Sequence, residues 1–136
     1  MKKITNENLA QTIRRWHEFI EAPNAEILYE ILADDVKFHS PFVWKPKEGK
    51  KTTTVILLTA TEVFQDFRYV REITDENHSA LEFEARIGEF SLRGIDLIEM
   101  NEAGKIIDFE VMVRPANALQ LLGAEMSRRL AAKLSN

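Results

Sequence analysis

The chain has 136 residues, a formal net charge of −4 and no cysteine. That length supports one domain with a core that needs no disulfide or structural metal, and the missing thiols exclude disulfide scaffolds and thiolate sites, leaving a cytoplasmic location as the default. The 22 acidic and 18 basic side chains are spread along the chain, so no basic face awaits a phosphate backbone and nucleic acid is not an expected partner.

Residues 1–8 lack the apolar run of a secretion signal, and no apolar stretch is long enough to cross a bilayer, so a soluble protein without a membrane partner is expected. Asn6 or Asn8 is placed to cap a first helix in which Leu9, Ile13, Trp16, Phe19 and Ile20 recur at three- and four-residue spacing. Pro23 and Asn24 stop it. A second helix over Ala25–Ala33 carries Ile27, Leu28, Ile31 and Leu32 and ends at Asp34-Asp35. Val36 to Ser40 then alternates as a short strand closed by Pro41, which has no amide to give a ladder.

The following loop, Phe42 to Lys51, combines Phe42 and Trp44 with Lys45, Lys47, Lys50 and Lys51 and reads as a candidate lid. Residues Thr52 to Phe64 are locally ambiguous. Their threonines and Val55-Ile56 favour a strand, whereas Val55, Leu58, Thr59, Glu62 and Val63 share a helical face. The space left by the neighbouring elements selects a helix. Four strands follow, at about Phe67–Thr74, Ser79–Ile87, Phe90–Asn101 and Lys105–Arg114, separated by turn-forming Asp75-Glu76-Asn77, Gly88-Glu89 and Asn101 to Gly104. This is an antiparallel meander.

Alternation sorts its faces. Leu81, Phe83, Ala85 and Ile87 form one apolar row, and Ile107, Phe109, Val111 and Val113 form another. Asp96 interrupts an apolar run, Gly94 to Met100, where a carboxylate is costly to bury unless hydrogen-bonded or protonated. If Asp96 points to the apolar side, Ile95, Leu97 and Met112 make an outer patch suited to a partner sheet. Pro115 fits the first turn of a last helix striped by Leu119, Leu122, Met126, Leu130 and Leu134, whose apolar side must cover either the cavity mouth or a second subunit.

The order of two helices, a short strand ending near proline, a helix and a long meander resembles the cone-shaped α+β fold of the NTF2-like superfamily, which includes SnoaL-type polyketide cyclases and ketosteroid isomerases. The matching pieces are Ala33-Asp34-Asp35-Val36 followed by Ser40-Pro41, and Gly94-Ile95-Asp96 followed by Asn101 to Ile106. The resemblance covers nearly the full length. It implies a cystatin-like cone in which a curved antiparallel sheet wraps the N-terminal helices, here with an additional C-terminal helix. It also implies a pocket between sheet and helices, and a homodimer through the outer sheet face.

Residue by residue, Asp96 matches the position at which ketosteroid isomerases keep a protonated aspartic acid that donates to an oxyanion. The isomerase base falls on Ser40, whose hydroxyl cannot accept a proton as a carboxylate does. The isomerase tyrosine donor falls on Trp16, which donates but cannot ionise. Steroid isomerase activity in its usual form is therefore not expected. SnoaL-like relatives often use a histidine with an aspartate, so Asp96 and His39 form the candidate acid–base pair, although strand alternation sets His39 opposite Val36, Phe38 and Ser40.

Trp16, Ser40, Trp44, Phe83, Phe109 and Val111 are the candidate ligand contacts. No metal-ligand spacing links the three histidines, His17, His39 and His78, with carboxylates, so no metal is expected and no cofactor is needed. Two functions fit. The first is binding of a small apolar ring compound, with proton-transfer isomerisation or cyclisation beside a carbonyl. The alternative is a non-catalytic dimeric interaction module. Epoxide chemistry needs a second inward acid, and none can be placed.

Overall fold

The computed structural model describes residues 6–134, with the side chains of Asn6 and Leu134 left out, so the expected Asn6 cap and the far end of the last stripe lie outside the described residues. Helix α1 (Asn6–Glu21) already contains Asn8, and its periodic stripe of Leu9, Ile13, Trp16 and Phe19 is buried. Helix α2 (Ala25–Ile31) is capped by Asn24, whose side chain accepts from the Ile27 amide at 3.0 Å. This satisfies a donor that the first helical turn leaves free.

Strand β1 (Leu32–His39) begins directly at the end of α2. It takes in Leu32 and Ala33, which periodicity places in the helix. Both are buried against the sheet, a tertiary preference that outweighs local helical propensity. The loop after Pro41 is pinned at its far end by a two-residue strand β2 (Lys47–Glu48), paired antiparallel with Lys37 and Phe38 of β1. Lys50 and Lys51 open helix α3 (Lys50–Val63).

The meander forms as β3 (Gln65–Asp75), β4 (His78–Ile87), β5 (Phe90–Met100) and β6 (Ile106–Arg114). The six-stranded sheet has the order β2-β1-β6-β5-β4-β3. It is mixed, because β1 lies parallel to β6. The β5–β6 turn is held by Asn101, whose side chain accepts from the amides of Ala103 and Lys105, both at 3.0 Å. The buried Thr12 hydroxyl donates to the Gly104 carbonyl at 2.6 Å and ties that turn to α1.

Alternation places Leu81, Phe83, Ala85 and Ile87 inward, together with Leu92, Asp96, Ile98 and Phe109. Helix α4 (Ala116–Leu134) starts one residue later than expected, with Pro115 as its cap accepting from the Leu119 amide at 3.0 Å. Its buried stripe is Ala118, Leu122 and Met126. Glu62 of α3 holds it through Lys133 at 2.9 Å and Arg129 at 3.6 Å. Of the two destinations open to this helix, it takes the cavity mouth.

Gly94 is set by close approach. A Cβ there would collide with the Phe83 ring and lie 2.8 Å from the Met112 carbonyl oxygen. Gly94→Ala is expected to lower stability by about 1–3 kcal/mol, the usual scale of overpacking, measurable as a lower midpoint in urea unfolding.

Candidate functional site

Between the inner sheet face and helices α1, α3 and α4 lies a cavity of about 280 Å³, near the lower end of the range for small-molecule sites. Seven of the chain's eight phenylalanines line it: Phe19, Phe38, Phe42, Phe64, Phe67, Phe83 and Phe109. Leu122 and Met126 of α4 close one side. The lining holds four side chains with polar atoms, Trp16, Ser40, Thr61 and Asp96, and Asp96 is the ionisable one among them.

Asp96 stands on β5 between Leu81 of β4 and Val111 of β6. It is only 5% exposed. Its Oδ2 accepts from the Tyr69 hydroxyl at 2.6 Å, and that hydroxyl accepts from the Trp16 indole N–H at 2.8 Å. No other hydrogen bond reaches this carboxyl among the described residues. Burial pushes its pKa from 3.8 up to about 7, with the Tyr69 hydrogen bond opposing the shift. Burial, followed by the neighbouring Asp96, holds the Tyr69 phenol well above its usual range. Tyr69 therefore stays protonated and Asp96 changes charge near neutrality.

The other polar groups are weaker handles. The Thr61 hydroxyl donates to the Leu58 carbonyl at 2.6 Å. Ser40 accepts a long bond, 3.4 Å, from the Phe42 amide and keeps its own proton for a ligand or water.

Of the residues expected from sequence, Asp96, Trp16, Ser40, Phe83, Phe109 and Val111 converge on this cavity. His39 does not. Alternation along β1 turns it to the outer face, where its Nε2 sits 2.9 Å from Asp108 Oδ2, away from Asp96. Trp44 is also corrected: it is 97% exposed, because the β1–β2 pairing fixes the loop against the sheet edge and leaves Trp44 outside. Phe42 does the covering, packed close to Gly123 of α4.

Tyr69 is the residue that sequence reasoning missed. It belongs to β3, opposite Phe83, and reaches Asp96 across the whole of β4, a distance of roughly 10 Å between strands. Register irregularities flank it, between Gln65 and Arg68 and between Tyr69 and Arg71, and such bulges re-aim side chains. One sign was available: a tyrosine two residues from Phe67, on the same side of a strand that is rich in charged residues.

No protein-family model matches the chain, and no curated protein matches it by sequence. Solved structures do. A steroid delta-isomerase from Pseudomonas aeruginosa is 42% identical, with 99% of this chain and 100% of that chain covered and a TM-score of 0.92. A protein with a cystatin-like fold from Silicibacter pomeroyi is 35% identical over 88% of this chain and 85% of that chain, with a TM-score of 0.84. An NTF2-like protein from Mesorhizobium loti shares the fold at 14% identity, over 80% of this chain and 93% of that chain, with a TM-score of 0.71. The fold and these similarities define an α+β cone built around an internal cavity. The chain belongs to the NTF2-like superfamily, with its SnoaL-like and ketosteroid isomerase-like members.

The raised pKa of Asp96 has a consequence for stability. Below about pH 4 the carboxyl is neutral in both states. Between the ordinary value of 3.8 and the folded value of about 7, the unfolded chain releases a proton that the folded chain keeps, so stability falls as pH rises, by roughly 4 kcal/mol in all. Asp96→Asn removes this slope. The stability difference between variant and wild type should move in the variant's favour by roughly 2–3 kcal/mol from pH 5 to pH 8, read from urea unfolding at both.

Proposed function

We propose that the cavity binds a compact apolar ring compound through one carbonyl oxygen, and that neutral Asp96 donates a hydrogen bond to that oxygen. The observation that carries this reading is that Asp96 is the one ionisable side chain among the described residues lining a mostly apolar, phenylalanine-rich cavity, and that it titrates near neutrality. A donor held in a water-poor site strengthens its hydrogen bond as charge develops on the oxygen, which favours enolisation. Asp96 keeps its proton in a hydrogen bond to the enolate oxygen while a water on the Ser40 hydroxyl takes up the α-proton. Return of that proton to another carbon is isomerisation; in cyclisation the enolate carbon attacks a second carbonyl, whose oxygen takes the proton the water holds.

The 42% identical structure described as a steroid delta-isomerase supports a ketone-bearing ring compound as the ligand class. Fold alone would not. Ser40, standing where the resemblance places the isomerase base, argues for a weaker or different proton acceptor in this chain. His39 takes no part in the mechanism, since it pairs with Asp108.

Asp96→Asn should leave the chain folded while lowering ketone affinity or isomerisation rate at pH 6 by about tenfold, the worth of one good hydrogen bond. Calorimetric titration with a bicyclic ketone such as 1-tetralone checks this. An unchanged response in the variant would contradict the proposal.

A second reading concerns the outer sheet face. Met112 is 48% exposed there, and a shallow groove joins it to Ile95 and Val113 between Glu82, Arg93 and Arg114. An apolar centre ringed by charges of both signs suits a self-complementary contact between two copies. Light scattering should give a dimer for the wild type and a shift toward monomer for Met112→Lys.

A further inference from the structure

The hydrogen-bond chain from Trp16 through Tyr69 to Asp96 can run in only one direction. An indole nitrogen donates and never accepts, so the Tyr69 oxygen must receive the Trp16 N–H, at 2.8 Å. A phenol has one proton. Turned toward Trp16 it would meet another donor, and turned elsewhere it would go unpartnered in a buried place. It must therefore point at Asp96 Oδ2, at 2.6 Å. When Asp96 is neutral, Oδ2 is already receiving a proton, so the acid's own proton belongs on Oδ1, the oxygen that no described side chain satisfies in a residue lining the cavity.

We infer that Trp16 is a positioning residue which, through Tyr69, fixes the proton of neutral Asp96 on the cavity-facing oxygen and so makes the site select a carbonyl acceptor over a hydroxyl donor. This rests on the proposed ketone-binding reading and deepens it. A tyrosine at position 16 could turn its own hydroxyl either way, whereas tryptophan removes that freedom. The chain thus gives up one potential donor to the ligand and gains a fixed direction for the donor that remains.

The surroundings favour the relay in this direction, since the nearby Glu72 also helps to keep the Tyr69 phenol protonated. On β4 and β6 the neighbours of Asp96 are Leu81 and Val111. The side chains of α3 and α4 that line the cavity, such as Ala60, Leu122 and Met126, carry no charge. His17 of α1 and Glu72 of β3 pair with each other at 2.7 Å, and the His17 ring stands edge-on to the Tyr69 ring, with neither bonded to the Tyr69 hydroxyl. Above neutrality, Asp96 becomes a carboxylate whose oxygens can only accept. Carbonyl affinity should then fall as hydroxyl affinity holds or rises.

The test uses the full chain with 1-tetralone and 1-tetralol as matched probes, titrated by calorimetry from pH 5 to pH 9. Wild type should prefer the ketone at pH 6, with ketone affinity dropping up to tenfold per pH unit beyond the Asp96 midpoint. In Trp16→Phe the Tyr69 hydroxyl can turn and accept from Asp96. Preference for the ketone at pH 6 should shrink several-fold while tetralol binding persists. In Tyr69→Phe the donor that stabilises the Asp96 carboxylate is gone, so ketone binding should be retained and its pH midpoint should move upward.

A ligand-free readout separates failure of this inference from failure of the ketone reading. Proton NMR of the wild type should show the Tyr69 hydroxyl proton in a strong hydrogen bond at both pH 5.5 and pH 8.5, with a contact to the Trp16 indole proton. In Trp16→Phe that resonance should weaken at pH 5.5. Should neither probe bind while the NMR pattern holds, the relay stands and the ketone reading falls. A Tyr69 proton that leaves Asp96 at pH 5.5 in wild type, or an unchanged ketone preference in a folded Trp16→Phe, overturns the inference.

Discussion

The molecule depends on a buried carboxyl whose one hydrogen bond among the described residues comes from Tyr69. Burying a charge there would cost far more than one hydrogen bond returns, and the group responds by holding its proton up to about pH 7. The compromise is chemical as well as structural. A fully satisfied carboxylate would be inert toward a ligand, and a bare one would stay neutral across the physiological range. One phenolic donor sets the group between those limits.

The fold supplies the conditions for this. The curved sheet presents an apolar inner face, α1 delivers Trp16 to the Tyr69 hydroxyl, and α4 roofs the cavity with Leu122 and Met126. Phe83 crosses the bare backbone of Gly94, where any side chain would collide with it. Tyr69 meanwhile reaches over β4 from two strands away. The aromatic contacts among Phe64, Phe67, Tyr69 and Phe83 fix the position of that phenol, with Phe67 and Phe83 stacked at 4.7 Å and Phe67 edge-on to Tyr69 at 5.1 Å. A large share of the chain's aromatic content thus serves one carboxyl and the space beside it.

Much of this architecture was legible in the sequence because its signals are local. Three- and four-residue spacing marks α1 and α4, alternation marks β4 to β6, and an acid within an apolar run marks Asp96. The start of β1 was misplaced because Leu32 and Ala33 suit a helix locally and are drawn into the sheet by burial. His39 and Trp44 were drawn toward the site by chemistry and by the resemblance. Strand alternation, which points His39 outward, was the better guide. Tyr69 stayed hidden because its partnership with Asp96 depends on strand order and two register irregularities, neither of which a linear pattern encodes. The parallel β1–β6 pairing was hidden for the same reason.

What ties these parts together is the claim that Asp96 is a neutral acid in much of the folded population at neutral pH. Carbon NMR of the folded chain labelled at aspartate carboxyl carbons measures this directly, with Asp96→Asn identifying the resonance. The account predicts one aspartate titrating with a midpoint near 7, well separated from the rest. An Asp96 resonance that titrates near 4, with the exposed carboxylates, would contradict it.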